Sequence, residues 1–220
     1  MSRTSRSASA FVLTVLACAA SAASATTVIG STAISSPQGE LGSFRLVNII
    51  NQSSLSANYV SGVTDFATFT ASTTSGQLTG SGFTSTESNG PQQFTFDLGA
   101  LFDVDGVAVW NTNSVGAVSR FEMYADNDDD FSNGVGALIL GPSSLATNSA
   151  SADVFSFAST QTRYIHLQGL ASLAPPDFYG LNEVAFRGQA AGTRVPEPAS
   201  LALAGIALAA AGAASRRRVR

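Results

Sequence analysis

The sequence predicts an all-β protein built as a β-sandwich. Between residues 26 and 192, short apolar stretches rich in Phe, Val, Ile and Thr alternate with Gly, Ser, Asn and Pro, the pattern of strands separated by turns. Several stretches alternate apolar and polar residues with a period of two, as a sheet packed on one face requires. No 12-residue window in this region holds a helical period. About nine short strands at this spacing indicate a sandwich.

Composition and charge bound the function. The chain has 220 residues, of which only 12% are charged, and all 11 basic residues are arginines. Between Glu40 and Arg194, 14 acidic residues face five arginines, a net charge of −9. Such a surface repels nucleic acid and anionic lipid, so we expect no nucleic-acid partner. Residues 26–192 are long enough for one domain with a real core.

The N-terminal residues 1–25 are predicted to be a signal peptide, exported by the Sec machinery and removed by signal peptidase. Arg3 and Arg6 form its basic end, residues 10–17 its apolar middle, and Ala23-Ser24-Ala25 a small-x-small cleavage site. The alternative, an N-terminal membrane helix, needs a longer apolar core. The only cysteine, Cys18, lies in this segment, so the domain must be stabilised by its core and not by a disulfide.

Nine strands are predicted in residues 26–192, followed by a linker at 188–194. The strands are Phe44–Ile50, Asp65–Thr70, Gln93–Leu98, Val104–Trp110, Val118–Ala125, Ala137–Leu140, Val154–Phe157, Thr162–Gln168 and Asn182–Arg187. Ala71–Ser88 and Pro142–Ser151, rich in Ser with Thr, Gly or Ala, are predicted loops. Alternation places His166 on the outer face of its strand, opposite Ile165 and Leu167. It likewise places Glu183 on the outer face of the closing strand.

Five of these segments resemble the strands of discoidin, or coagulation-factor type C, domains. They are Phe94–Gly99, Val104–Asn111, Phe121–Asp126, Thr162–Leu167 and Leu181–Gly188. The resemblance implies a jelly-roll sandwich of galactose-binding type, whose members bind glycans, lipids or proteins through loops at one end. The cysteines that usually flank such domains are absent here.

Two segments are predicted ligand loops. Asn111 and Asn113 lie at a strand end, and the stiff loop at 175–180 carries Asp177, Phe178 and Tyr179. Aromatic rings with amides and carboxylates suit a sugar, whose faces are apolar and whose edges form hydrogen bonds. The alternative is structural, with the neighbouring tryptophan in the core and the phenylalanine anchoring its loop.

An acidic loop is a predicted calcium site. Asp126, Asp128 and Asp130 are spaced two apart, so an irregular loop could converge their oxygens on a hard cation such as Ca²⁺. Phe131 and Ala137 stand where an EF-hand needs glycine and glutamate, so the loop is not an EF-hand. The alternative is a solvated acidic hairpin loop.

No catalytic residues are predicted. His166 is the only histidine and sits mid-strand, and no nucleophile elbow is present. Asp97, Glu122 and Glu183 lie on predicted strands, but nothing in the sequence places two of them across a cleft, as glycoside hydrolysis requires. We therefore predict that the protein is not an enzyme, with a polysaccharide hydrolase as the weakest alternative.

The C-terminal segment, residues 193–220, has three parts in order: Val195-Pro196-Glu197-Pro198, an uncharged run at 199–215, and Arg216-Arg217-Arg218. The prolines exclude a helix through the first part. The 17-residue run makes a helix of about 25 Å, the short end of what spans a bilayer. The arginines mark the cytoplasmic side.

This tail resembles the PEP-CTERM sorting signal of Gram-negative bacteria. The resemblance implies recognition by an exosortase, processing near Pro196-Glu197-Pro198, and export from the inner membrane to the cell surface or extracellular matrix. The alternative is a membrane anchor that is never processed. The sequence thus predicts a carbohydrate-binding or adhesion module in an exopolysaccharide matrix, or a purely structural matrix protein without a small ligand.

Overall fold

The computed structural model describes residues 26–76, 82–85, 91–112, 116–129, 134–147, 149–173 and 178–192. Within these ranges there are eight strands, one α-helix and one 3-10 helix. The strands are β1 Thr27–Ile29, β2 Ala33–Ser35, β3 Phe83–Thr84, β4 Gln92–Asn111, β5 Val118–Asp126, β6 Ala137–Ser144, β7 Asp153–Ser172 and β8 Gly180–Ala190. The α-helix, α1, spans Phe66–Ser72, and the 3-10 helix spans Leu46–Ile49.

All strand pairs are antiparallel, in the order β1-β8-β4-β7-β5-β6, with β2 on β4 and β3 on β8. The two 20-residue strands, β4 and β7, each serve two layers. The first part of β4 pairs on one side with β2 and on the other with the second part of β7. The last part of β4 pairs with β8 and with the first part of β7. Register shifts after Asp97 and Val104 mark the passage, because bulges let a strand change sheets.

The main core lies between a first layer, β2-β4-β7-β5-β6, and a second layer, β1-β8-β4-β7. Its rings meet edge to face: Phe96 lies 5.5 Å from Phe186, and Phe121 5.2 Å from Phe155, between ring centroids. This is the geometry that aromatic quadrupoles favour. The prediction of an all-β sandwich is confirmed by this architecture.

A second apolar cluster covers the outer face of the second layer. Trp110, fully buried, packs edge to face on Phe69 of α1, and Phe69 packs on Tyr59. Asp65 caps α1, because its Oδ1 accepts a hydrogen bond from Thr68 N at 2.8 Å. The second layer is therefore buried on both faces.

Two predicted strands are wrong. Asp65–Thr70 is the cap and body of α1, where Phe66 and Phe69, three residues apart, share the buried face. Phe44–Ile50 contains the 3-10 helix, which buries Asn48 and Ile49. Both segments are rich in residues that favour strands, which is why strands were predicted. In the structure each forms a short helical turn that packs on a sheet.

Other predicted boundaries also differ from the structure. The four predicted strands at 93–98, 104–110, 154–157 and 162–168 are two continuous strands, because pairing resumes across each irregularity. Strand β6 extends into the predicted loop at 142–151, and β3 lies within the predicted loop at 71–88. Strands β1 and β2, three residues each, were not predicted.

The targeting predictions fall outside the described residues: the signal peptide 1–25 and the tail 193–220, with its predicted spanning helix at 199–215. In the part of the chain that the structure describes, no helix has the length and apolar character to cross a membrane.

Candidate ligand-binding site at one end of the sandwich

The end of the sandwich where β4 finishes and β8 begins, here called the loop end, collects the predicted ligand loops. Gly180 N donates to Gly116 O at 2.6 Å, and a Cβ at Gly116 would meet the Phe178 Cβ at 3.0 Å. The segment after Asn111 and the segment carrying Phe178 are thus in direct contact. The structure brings the two predicted loops together, although they are more than 60 residues apart in the chain.

Asn111 connects three segments at this end. Its side chain is 3% exposed, and Nδ2 donates to Val118 O at 2.7 Å and to Ala146 O at 3.1 Å, while Oδ1 accepts from Thr112 N. Both the Nδ2 and the Oδ1 atom of the amide are therefore hydrogen-bonded within the protein. Its side chain therefore fixes the loops in place and does not face solvent.

Asn182, on the neighbouring strand β8, also connects several segments of the loop end through its side-chain amide. Its buried Nδ2 lies 2.9 Å from Ser75 Oγ, 3.2 Å from Gly76 O and 3.1 Å from Asn111 O. Gly82 packs so closely on the Asn182 side chain that any Cβ there would overlap it. The amide thus joins β8, the end of β4 and the segment that follows α1.

The aromatic residues of this end divide between core and surface. Trp110 donates its indole N–H to Thr73 O at 3.1 Å, and Tyr179 is 6% exposed with its backbone N–H on Ser85 Oγ at 2.9 Å. Phe178 is half-buried. Asn113 and Asp177 lie outside the described residues. Among the predicted ligand-loop residues that the structure describes, Phe178 is therefore the one with a partly exposed side chain.

Glu183 lies on the predicted face of β8, but that face is covered. Its side chain is fully buried; Oε2 accepts from Gln52 N at 2.9 Å, and Oε1 lies 3.5 Å from the Tyr59 hydroxyl. Desolvation by burial raises the pKa of Glu183 to about 9, against a smaller lowering by these hydrogen bonds. Burial and the nearby carboxyl also raise the pKa of Tyr59. At neutral pH the carboxyl is a protonated part of the core.

His166 is likewise buried where the outer face of a strand was predicted. Its Nδ1 lies 3.0 Å from Thr95 Oγ1, and its Nε2 lies 3.9 Å from Asp126 Oδ2. Burial lowers the pKa of His166, and the carboxylates of Asp126 and its neighbours oppose that shift. This environment favours the neutral imidazole, as for a structural histidine.

The other predicted carboxylates have separate partners. Asp97 accepts two hydrogen bonds from Arg163, each 2.9 Å long, and this guanidinium holds the pKa of Asp97 below its usual range. Glu122 accepts from the Tyr124 hydroxyl at 2.8 Å. With Glu183 in the core, each of the three carboxylates has a partner of its own.

The acidic loop begins in the structure and continues beyond it. Asp126 Oδ1 accepts from Asn127 N at 2.7 Å and lies 3.4 Å from Asp128 N, and Asp128 is exposed. Asp130 lies outside the described residues, within which no three His, Cys, Asp or Glu side chains form a metal-binding group. Calcium binding thus stays a prediction, and the described contact of Asp126 Oδ2 is with His166 Nε2 at 3.9 Å.

One cleft was not predicted from the sequence. It has a volume of about 160 Å³ and lies where β1, β8 and β4 run side by side. Its lining residues are Thr26, Asp103, Asp105, Ser159, Gly188 and Gln189. The signal in the sequence is a pair of aspartates, Asp103 and Asp105, at the start of the predicted strand Val104–Trp110.

Comparison with known proteins identifies the tail and the fold. Residues 194–218 match the PEP-CTERM protein-sorting motif, which indicates an exported, surface-directed protein processed by an exosortase. No curated protein matches the sequence.

Solved structures of similar fold are mainly carbohydrate-binding modules. The family 32 module of Clostridium perfringens NanJ, in complex with galactose, is 16% identical, with a TM-score of 0.51 over 74% of this chain and 98% of that one. A family 32 module from a family 31 glycoside hydrolase of Clostridium perfringens is 11% identical, with a TM-score of 0.51 over 73% and 90%. A fucolectin from striped bass serum is 14% identical, with a TM-score of 0.50 over 71% and 45%. The chain therefore has the discoidin-like fold of these modules.

Proposed function

We propose that this protein is a non-catalytic carbohydrate-binding module that works in the exopolysaccharide matrix or on the surface of a Gram-negative bacterium. The observation that carries the proposal is the buried amide network of the loop end. Asn111 and Asn182 together connect β4, β5 and β8 with the segments around Ser75 and Ala146.

Such a network suits the recognition of a weakly binding sugar. Ordering flexible loops during binding costs free energy, so loops that are already fixed leave more of the contact energy for affinity. A sugar also needs an apolar surface for its ring face and polar groups for its hydroxyls. Phe178 supplies the apolar surface. Asp177, its neighbour in the chain, and Asn113, in the other predicted ligand loop, supply the polar groups.

The fold supports the same function. The NanJ module was solved with galactose, and the striped bass protein is a lectin by name. We propose no catalytic role, because Asp97, Glu122 and Glu183 each have a structural partner in the fold. A hydrolase needs two carboxyl groups facing one substrate across a gap.

Binding to a glycan array by the exported, processed protein tests the proposal. We expect Phe178→Ala and Asp177→Ala each to weaken binding of the best glycan by about tenfold or more, since each removes one of the few contacts of a small site. Leu101→Ala, an exposed apolar residue outside the loop end, is the matched control and should bind normally.

The outcomes separate the alternatives. Loss of binding counts only if Tm is unchanged, which shows that the variant is folded. A protein that binds no glycan on a broad array would be the structural matrix protein of the alternative interpretation. Release of reducing ends from a bound polysaccharide would instead support the hydrolase.

A further inference from the structure

The acidic cleft, lined by Thr26, Asp103, Asp105, Ser159, Gly188 and Gln189, lies across three neighbouring strands. Thr27 of β1 pairs with Gly188 of β8, which pairs on its other side with Val104 of β4. Two strand spacings, about 9.5 Å, therefore separate the β1 and β4 backbones. Gly188 lies between them without a side chain, and a Cβ there would come within 2.6 Å of Asp103 O. The β4 backbone thus packs directly against Gly188 at one wall of the cleft.

The cleft has an excess of negative charge. Asp105 is paired with Arg187, whose Nε donates to its Oδ1 at 2.6 Å. Among the described residues, the hydrogen bond to Asp103 comes from Gln161 Nε2 and is long, 3.4 Å. Two carboxylates, Asp103 and Asp105, thus face one guanidinium, which leaves one negative charge that a further cation would balance.

The chain itself can supply that cation. The sequence contains no lysine, so removal of residues 1–25 leaves a mature chain with one aliphatic amine, the α-amino group of Thr26. This residue already lines the cleft. Its backbone is fixed there, because Phe66 N donates to Thr26 O at 3.1 Å and the next residue, Thr27, donates its hydroxyl to Gly188 O.

We propose that the α-ammonium group freed at Thr26 by signal-peptide removal binds in this acidic cleft and forms an ion pair with the carboxylates of Asp103 and Asp105. In the precursor the same nitrogen belongs to a neutral peptide bond and offers no charge. Processing therefore completes an electrostatic contact that links β1 to β4 across β8. The inference rests on the predicted cleavage after Ala25 and is independent of glycan binding.

Two measurable consequences follow for the mature protein. An ammonium beside carboxylates is favoured over the neutral amine, so the pKa of the Thr26 α-amino group should exceed its usual value of about 7.7–8.0. Loss of the charge should also lower the stability of the fold. For a domain of this size one such pair corresponds to a Tm shift of about 2–4 °C.

Acetylation of the processed protein with an amine-reactive ester tests both consequences. In a chain without lysine the reagent modifies Thr26 selectively, which mass spectrometry confirms. We expect acetylation to lower Tm by about 2–4 °C. The dependence of the acetylation rate on pH should give an amine pKa above about 8.

Two variants make the test specific to the cleft. In Asp103→Asn, acetylation should no longer change Tm by more than about 1 °C, and the amine pKa should return toward about 8. Glu122→Gln removes an equal charge from the middle of β5 and should keep the full acetylation effect. Asp103 is chosen over Asp105 because replacing Asp105 would also release Arg187.

Three results would overturn the proposal. They are an unchanged Tm after complete acetylation of the wild-type protein, an equal shift in Asp103→Asn, and a mature N-terminus at a residue other than Thr26. Glycan binding by the acetylated protein should remain normal, because the cleft and the loop end lie at opposite ends of β8. Failure of the ion pair would therefore be distinguishable from failure of the proposed function.

Discussion

At the scale of single residues, Glu183 makes the stability of the domain depend on pH. Burial raises its folded-state pKa to about 9, whereas a carboxyl in the unfolded chain titrates near 4.3. Between these values the folded protein holds a proton that the unfolded chain has lost, so stability falls as pH rises. We expect Tm to be higher at pH 5 than at pH 8.

Glu183→Gln should remove this dependence, because a neutral amide has no charge to desolvate. The variant is expected to melt higher than wild type at pH 8 and to show a flatter profile between pH 5 and pH 8. Glu122→Gln, a half-buried carboxyl on β5, is the control and should keep the wild-type slope. Differential scanning calorimetry in buffers matched for ionic strength measures all three, and an unchanged slope in Glu183→Gln would contradict the assignment.

Asn182 should prove to be a structural residue. Replacing it with Ala removes this buried donor from Asn111 O and removes one of the two hydrogen bonds to Gly76 O, which also accepts from Ser75 Oγ. We expect about 1–3 kcal/mol of lost stability, the usual cost of an unsatisfied buried polar group. Urea denaturation measures it. A variant as stable as wild type would mean that the amide network does not hold the loop end.

The sequence shows the limits of prediction most clearly at such residues. The alternation of β7 and β8 predicts His166 and Glu183 on the face opposite their apolar neighbours, and those neighbours, Ile165, Leu167 and Val184, lie in the main core. Alternation does not report whether an outer face meets water or another part of the chain. The segment around Gln52 and Tyr59 covers Glu183, and no local pattern in β8 could have shown this.

At the scale of elements, the acidic loop after β5 carries the calcium prediction. A cation that binds only the folded state raises Tm by mass action. If Asp126, Asp128 and Asp130 are ligands, Tm should rise with excess Ca²⁺ over the value in a chelator, and Asp128→Asn should reduce the gain.

Glu40→Gln, which removes a carboxylate paired with Arg45 in another part of the chain, is the control for a general effect of charge. It should keep the full calcium response. Equal melting temperatures in calcium and in chelator would leave the loop as solvated acidic residues.

The longer elements were predictable and the shortest were not. Strands β4, β5, β7 and β8 contain stretches of clear period-two alternation, and the all-β fold follows from them. Strands β1 and β2 have three residues each, too few to show a period. The seven-residue helix α1 depends on its Asp65 cap and on packing against Trp110, and distant contacts of that kind override local propensity.

At the scale of the whole molecule, β8 runs from the loop end, where we propose that glycans bind, to the end of the domain that leads into the sorting tail. It begins at Gly180 in the loop end and finishes at Ala190, two residues before the end of the described domain. Eleven strand residues span roughly 35 Å at about 3.3 Å each. A domain held through its C-terminal segment would therefore present its loops on the far side, open to a polysaccharide.

The sorting tail gives the last prediction. The motif at 194–218 implies exosortase processing, and we propose that residues 199–215 hold the precursor in the inner membrane with Arg216 to Arg218 on the cytoplasmic side. Pro196-Glu197-Pro198 would then lie just outside the bilayer, kept extended by its prolines for the enzyme.

Mass spectrometry of the exported protein tests this arrangement, with the same strain lacking its exosortase as control. The mature protein should lack the tail in cells with the enzyme and retain it in cells without. Glu197→Ala, or deletion of residues 216–220, should leave unprocessed precursor with the cell, because the first alters the recognised break and the second removes the basic stop. Peptides spanning Val195 to Arg220 that remain attached in cells with an active exosortase would show that the tail is only an anchor. A processed tail together with an N-terminus at Thr26 would instead show that both ends of the domain are made by cleavage, close to each other in the fold, because Thr27 pairs with Gly188 near the end of β8.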